Sequence, residues 1–279
     1  ADESWGPRFD GQPYIPWYAM YQNSPYFGQT DTWEAHPDNI KNFFDTGYTT
    51  KNIVALSGGG ENYSARISFT NLQQKGIIPY STLKKNFVQA NFNYNLTDNF
   101  EVGMNINYSE GDVRGDFDDG YSNNTTGSFN SWFARNIDMD KMRELQGLTT
   151  TEGFLASWNN WGLDAWAAGE DIGELGFKKA AFWFNPYDWA RLYERTSTTT
   201  NLLGDFHATY SFLEDFEAFV QVSRNEQKYR RDFQVPYILE FSAAPDLYNP
   251  YVNSFGRYYQ SRLEDNYQAR LSYNKEFED

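Results

Sequence analysis

Taken at every second position, the chain separates into apolar and polar rows. Val88, Ala90, Phe92, Tyr94 and Leu96 alternate with Gln89, Asn91, Asn93 and Asn95, and beyond a short acidic turn Phe100, Val102, Met104, Ile106 and Tyr108 alternate with Glu101, Gly103, Asn105, Asn107 and Ser109. The design recurs downstream. Leu202, Gly204, Phe206, Ala208, Tyr210 and Phe212 oppose Asn201, Asp205, His207, Thr209 and Ser211, and Tyr267, Ala269, Leu271 and Tyr273 oppose Asn266, Gln268, Arg270 and Ser272. Successive side chains of a strand point to opposite faces, so each stretch predicts a strand with one apolar and one polar face.

The pattern predicts strands over Thr49–Ser57, Tyr63–Leu72, Lys85–Leu96, Phe100–Ser109, Thr200–Phe212, Phe216–Arg224 and Asp265–Asn274. Most have the roughly 9–11 residues that a tilted strand needs to cross a bilayer. Their connections alternate in length. Gly58–Asn62, Thr97–Asn99 and Leu213–Asp215 are short, whereas Leu72–Lys84, Glu110–Thr199 and Asn225–Glu264 are long. Short turns at one end and long loops at the other are the arrangement of outer-membrane barrels. The expected fold is therefore all-β, a segment of a large antiparallel transmembrane β-barrel with short periplasmic turns and long extracellular loops. Tyr63, Phe100 and Phe216, with Tyr94, Tyr210 and Tyr273, fall where an aromatic girdle would sit. A soluble sandwich rarely has such lopsided connections. Open sheet edges do not persist in lipid, so the segment needs further strands or a partner.

Residues 1–48 carry Pro7, Pro13, Pro16, Pro25 and Pro37 without alternation and are expected to form an aromatic, Pro-rich loop region leading into the barrel of residues 49–279, with a helical turn or two within Asp38–Phe44.

Composition changes this picture little. Mean hydropathy is −0.74, but a barrel interleaves each apolar position with a polar one, so low hydropathy does not argue for a soluble protein. No apolar run approaches the roughly 18 residues of a spanning helix, which excludes a helical membrane protein. The net charge of −15 argues against nucleic acid, and the absence of Cys removes disulfides and thiolate metal sites.

Candidate chemistry is sparse. Asp205, His207 and Ser211 share a polar face, but Ser211 lies about 13 Å along the strand from His207, beyond the reach of a general base, so no catalysis is expected. His36 has no evident partner. Asp112, Asp116, Asp118 and Asp119 offer carboxylate oxygens suited to Ca²⁺, yet their spacing does not match an EF-hand, and a solvated acidic loop tip is the better reading, so no metal is expected. No cofactor is expected. The long loop concentrates Trp132, Trp158, Trp161, Trp166, Trp183 and Trp189. With Arg135, Asn159, Asn160 and Asp164 these form a candidate surface for stacking and hydrogen bonding to a ligand. The alternative is that the aromatics hold the loop itself together or pack against a partner. Gln89, Asn91, Asn93, Asn105, Asn107, Asp205 and His207 are expected to face the lumen, where they line a solute path or contact a plug.

Several signatures, Trp5-Gly-Pro-Arg-Phe-Asp-Gly11, Pro37 through Gly47, Leu56-Ser-Gly-Gly-Gly60, Tyr63 through Lys75-Gly-Ile-Ile-Pro79, and Asn185-Pro-Tyr187, resemble in order and spacing those of the SusC/RagA-type TonB-dependent transporters of Bacteroidetes. The resemblance implies an outer-membrane barrel of a Gram-negative bacterium, closed by a plug domain that TonB opens. It also implies a SusD-like surface lipoprotein acting as a lid, outer-membrane lipid around the wall, and import of oligosaccharide or peptide cargo. On this view the chain is an interior piece, with the plug and remaining strands outside it. Alternatives are a SusC-like barrel with a structural, assembly or adhesion role, a soluble glycan-binding β module, and an outer-membrane hydrolase.

Overall fold

The computed structural model describes residues 6–115, 124–126, 129, 132–169, 173–244 and 252–275. Two short strands, β1 (Pro13–Tyr14) and β2 (Asp31–Thr32), pair in the N-terminal segment, and α1 (Asn39–Phe43) follows. Then come β3 (Tyr48–Gly59), β4 (Tyr63–Lys75), β5 (Thr82–Thr97), β6 (Phe100–Arg114), β7 (Glu194–Phe212), β8 (Phe216–Val235) and β9 (Ser254–Tyr273). These form one antiparallel sheet of seven strands in chain order. Helices α2 (Met139–Glu144), α3 (Gly162–Ala167), α4 (Pro186–Leu192) and α5 (Tyr237–Ser242) lie in the long connections.

Register carries the two-residue alternation from strand to strand, because residues paired across an antiparallel ladder share a face. Gly58, Ala65, Phe92, Met104, Phe206, Val222 and Tyr267 form one row across the sheet. Tyr63, Tyr94, Val102, Ala208, Val220 and Ala269 form the next on the same face. The opposite face carries Arg66, Asn91, Asn105, Asp205, Ser223 and Asn266 in one row. Among the described residues nothing covers the apolar face: Leu56 is 72%, Phe206 54% and Tyr267 77% exposed.

The sheet is also staggered. Phe100, at the tip of the β5–β6 hairpin, pairs with Tyr210, and β7 runs two residues further to Phe212 before it turns back to Phe216. The β3–β4 tip lies higher still, with Tyr63 paired to Tyr94 while β5 continues to Thr97. The step is about one residue per strand. With a rise of ~3.4 Å and a strand spacing of ~4.8 Å, this tilts the strands by roughly 35°, the slant that a closing barrel requires. The expected fold class stands: the chain is a segment of a large antiparallel β-barrel.

The strands run further than alternation predicts. β8 and β9 are each 20 residues long, and β7 is 19. The excess lies at the end away from the tight turns, where the apolar row gives way to Asn86, Glu110, Thr200, Lys228 and Ser261, then to Lys84, Asp112, Thr198, Arg230 and Tyr259. Pairing continues there on the β-branched residues Thr196, Thr198, Thr199 and Thr200 and on ion pairs such as Arg257 with Asp232 (2.7 Å), not on an apolar stripe. The three long connections consequently shrink to residues 76–81, 115–193 and 236–253.

The hydrophobic core sits in the connections. Of the buried apolar residues among those described, only Val235 belongs to a long strand. One cluster joins Phe43, Phe129, Phe133, Met139, Met142, Trp158, Trp183 and Tyr187, and a second joins Leu155, Phe184, Trp189, Val235 and Leu239. Residues 6–46 thus fold against the β6–β7 connection as a cap. Polar ties fix the packing. The Asn185 side chain accepts from the Tyr187 amide at the start of α4 (3.0 Å) and donates to the Met142 carbonyl of α2 (2.9 Å), while Arg143 donates to Asp45 (2.9 Å) and to the Asn42 and Phe43 carbonyls at the end of α1. The helical turn expected within Asp38–Phe44 is α1.

Candidate functional site

Two constellations emerge, one on the polar face of the sheet and one in the cap. On the sheet, register places side chains from β5, β6 and β7 within reach of one another. Asn91 donates to Asn105 (2.7 Å), Asn105 donates to both oxygens of Asp205 (3.2 and 3.1 Å), and Asp205 Oδ1 lies 3.0 Å from His207 Nδ1. Gly103 makes room for this network. A Cβ there would stand 2.2 Å from His207 Nε2 and 2.6 Å from Asn93 Oδ1, so the imidazole lies directly over the glycine. On its other side His207 stacks at 6.1 Å on Phe219, whose ring also carries the Arg270 guanidinium at 5.0 Å. Gln89 and Asn107 are register partners one row above. Of these, Gly103 and Arg270 stood in the polar rows without being singled out, and Phe219 was not placed on either face. A glycine among amides was the available signal for Gly103.

The arrangement holds an imidazole by a carboxylate and an amide chain. Ser211 is four residues further along β7, paired with Glu217, so it is not the partner of this acid–imidazole pair.

The cap separates the expected ligand surface into parts. Trp158 stacks on Trp183 at 6.0 Å, Trp183 on Trp132 at 6.2 Å, and the Trp158 indole donates to the Phe184 carbonyl (3.2 Å). Trp158 is in the cap core. Asn159 is fully buried, its Oδ1 accepting from the Phe182 amide (2.7 Å), so it folds the connection and is withdrawn from ligand. Asn160 donates to the Tyr21 hydroxyl (3.1 Å). Trp161 packs on Phe182 (5.5 Å), Arg135 is exposed, and Asp164 is exposed on the first turn of α3. Trp166 is on α3, but its side chain is outside the described residues, as are Asp116, Asp118 and Asp119. Asp112 accepts from the Thr198 hydroxyl (2.7 Å). Among the described residues no three His, Asp or Glu side chains are gathered as a metal-binding group.

What the sequence did not reveal is a cavity of about 300 Å³ between the N-terminal segment and the β6–β7 connection, walled by Tyr14, Trp17, Tyr18, Trp33 and Trp158, with Asn136, Asp138 and Asn160 as polar lining. Trp33 meets Tyr14 edge-on at 5.1 Å, and Trp17 meets Tyr18 at 5.7 Å. Tyr18 donates to Asp31 Oδ2 (2.6 Å), and burial with this carboxylate raises its phenol pKa. Tyr21, fully buried nearby, is pushed by burial up to about 12. Elsewhere in the cap, burial raises the Asp188 carboxyl against the opposing Gly147 amide and Arg191. Burial also pulls Asp45 upward, but Lys75 and Arg143 together outweigh it and hold the carboxyl below its ordinary range.

In class, then, this is a section of a large barrel wall bearing a folded cap at one end. No protein-family model matches the chain, and no curated protein matches it. Solved structures do resemble it. The RagAB peptide importer in its closed-closed state superposes with a TM-score of 0.60 at 16% identity, over 94% of this chain and 26% of that one. The RagAB peptide transporter gives 0.59 at 16% identity, over 92% and 26%, and the importer's open-open state gives 0.55 at 15%, over 85% and 23%. The chain spans about a quarter of the length of these solved chains. At such identity the likeness is one of fold.

Proposed function

We propose that the chain is part of the wall and surface loops of an outer-membrane nutrient importer of the SusC/RagA type. The observation that carries this reading is the uncovered apolar band running across all seven staggered strands. On β7 it extends from Leu202 to Phe212, ten residues or ~33 Å along the strand, and at a tilt of roughly 35° this is ~27 Å of height, close to the ~25 Å band of outer-membrane barrels. The rings of Phe212, Phe216 and Tyr273 gather at its lower edge, as an aromatic girdle does. The likeness to a peptide importer favours import, with the amide-lined face toward the lumen and the cap outside the cell. A SusD-like lipoprotein over the cap, a TonB-operated plug in the lumen, and oligosaccharide or peptide cargo complete the proposal.

The test is uptake of labelled oligosaccharide and peptide pools by cells with and without the gene, with and without a protonophore, after fractionation has located the protein. Energy-dependent uptake that requires the gene is the expected result. Recovery in the soluble fraction without detergent refutes the membrane reading, and gene-independent uptake with an outer-membrane protein refutes import alone.

A further inference from the structure

We propose that the aromatic cavity of the cap is a binding site for an organic cation, a protonated amine or guanidinium. The walls argue for this chemistry. Tyr14, Trp17, Tyr18 and Trp33 present ring systems to a space of about 300 Å³, large enough for an alkylammonium group and its stem. Aromatic faces attract cations electrostatically, and more so where water is excluded.

The charges around the cavity agree with the rings. Asp138 lines the space and caps α2 through Oδ1, which accepts from the Asp140 and Lys141 amides (2.8 and 3.3 Å), while among the described residues Oδ2 takes no part in the cap. Asp31 stands behind Tyr18 at 2.6 Å. The Tyr14 phenol is raised by burial first, against a hydrogen bond from Asn136, and Asp31, Asp138 and Glu34 each add to the rise, with Asp138 the carboxylate that lines the cavity itself. A neutral sugar has no use for that field. The protein already makes one such contact internally, since the Lys141 ammonium sits 4.0 Å above the Tyr26 ring and 2.9 Å from Glu144. The net charge of −15 draws cations toward the surface in general, and the cavity supplies the local fit.

The inference concerns the cap alone. A barrel that binds the cation but moves no solute leaves it standing and overturns only the import reading.

The experiment titrates the full-length protein in detergent, by calorimetry and tryptophan fluorescence, with the capped peptide Gly-Gly-Lys-Gly-Gly, its norleucine counterpart, and n-butylammonium chloride. The lysine peptide is expected to bind at least tenfold more tightly than the norleucine peptide. Asp138→Asn keeps the helix cap, because Asn caps as well as Asp, and is expected to lower lysine-peptide affinity several-fold while leaving the norleucine peptide unchanged. Trp33→Leu is expected to do the same with every carboxylate intact. Butylammonium binding as tightly as the peptide assigns the site to free amines, and tighter peptide binding assigns it to side chains on a chain. Equal affinity for the two peptides, no binding of either, or wild-type affinity in both variants overturns the proposal.

Discussion

Placing Arg at Phe206 tests the membrane reading by the size of its effect. Phe206 lies in the middle of the apolar row of β7, six residues from Phe212 and four from Leu202, or roughly 16 Å and 11 Å in height at the tilt inferred from the stagger. It is 54% exposed, so its truncation removes few contacts within the protein. In water an Arg at this half-open site costs under ~1 kcal/mol, the usual range for surface changes. At the depth of a bilayer midplane it costs about 2–4 kcal/mol, and near an interface about 0–1 kcal/mol. Thr200→Arg is the control, since Thr200 shares the face of Phe206 but pairs with Glu110 and Lys228 above the band. The assay is reversible guanidinium unfolding of the full-length barrel in phospholipid vesicles, followed by tryptophan emission. A difference of about 2 kcal/mol or more between the variants is expected. Equal destabilisation by both Arg substitutions refutes the assignment of this face to lipid, whatever else the protein does.

Gly103→Val forces the His207 ring off β6, and strain of that kind costs about 1–3 kcal/mol; a wild-type His207 imidazole resonance in the variant would contradict the close approach. Trp158→Ala opens the cap core at a cost of about 3–5 kcal/mol, so the cap is expected to become protease-sensitive while the strands stay protected. Leu213 and Glu214 turn the β7–β8 hairpin at φ of 49° and 58°, a left-handed pair without glycine, and Glu214→Gly is expected to stabilise by about 1 kcal/mol in the same unfolding assay. For pH, the raised Asp188 carboxyl contributes stability that is complete below the ordinary carboxylate pKa and is lost as pH rises through its folded value, whereas the depressed Asp45 contributes stability above that ordinary pKa and loses it as pH falls through its folded value. Cap unfolding followed against pH is therefore expected to flatten at its upper step in Asp188→Asn and at its lower step in Asp45→Asn; an unchanged profile in both variants counts against these assignments.

Alternation made the sheet readable, and the limits of alternation mark where the reading stopped. Val88 through Leu96 and Phe100 through Tyr108 declare their faces because one face lacks amide and charged groups. Beyond Leu202 and Val222 both faces are polar, so Thr196–Thr200 and Lys228–Asp232 carry no period-two signal although they pair without a break. Their strand character comes from β-branched residues and cross-strand ion pairs, which a single sequence shows only once the register is known.

The sites divide along the same physical line. Asn91, Asn105, Asp205 and His207 could be grouped from sequence because each lies on the polar face of its strand, and the structure links them by hydrogen bonds. The cap has no such periodicity. Trp158 and Asn159 look equally fit for ligand or for core, and only the distant contacts with Phe184, Phe182 and Trp183 show that Asn159 is buried in the fold and that Trp158 joins the core while also walling the cavity. The cavity is less legible still, since Tyr14, Trp17 and Trp33 meet Asp138 and Asn160 through tertiary folding alone, as the bond between Asn160 and Tyr21 across 139 positions illustrates. Apolar burial is likewise split in two, with the sheet relying on its surroundings and the cap on its own aromatic clusters. Such a division lets the cap's aromatic cavity be held by a packed core while the wall beneath it, on the proposed membrane reading, depends on lipid, so Trp158→Ala and Phe206→Arg should damage different parts of the molecule.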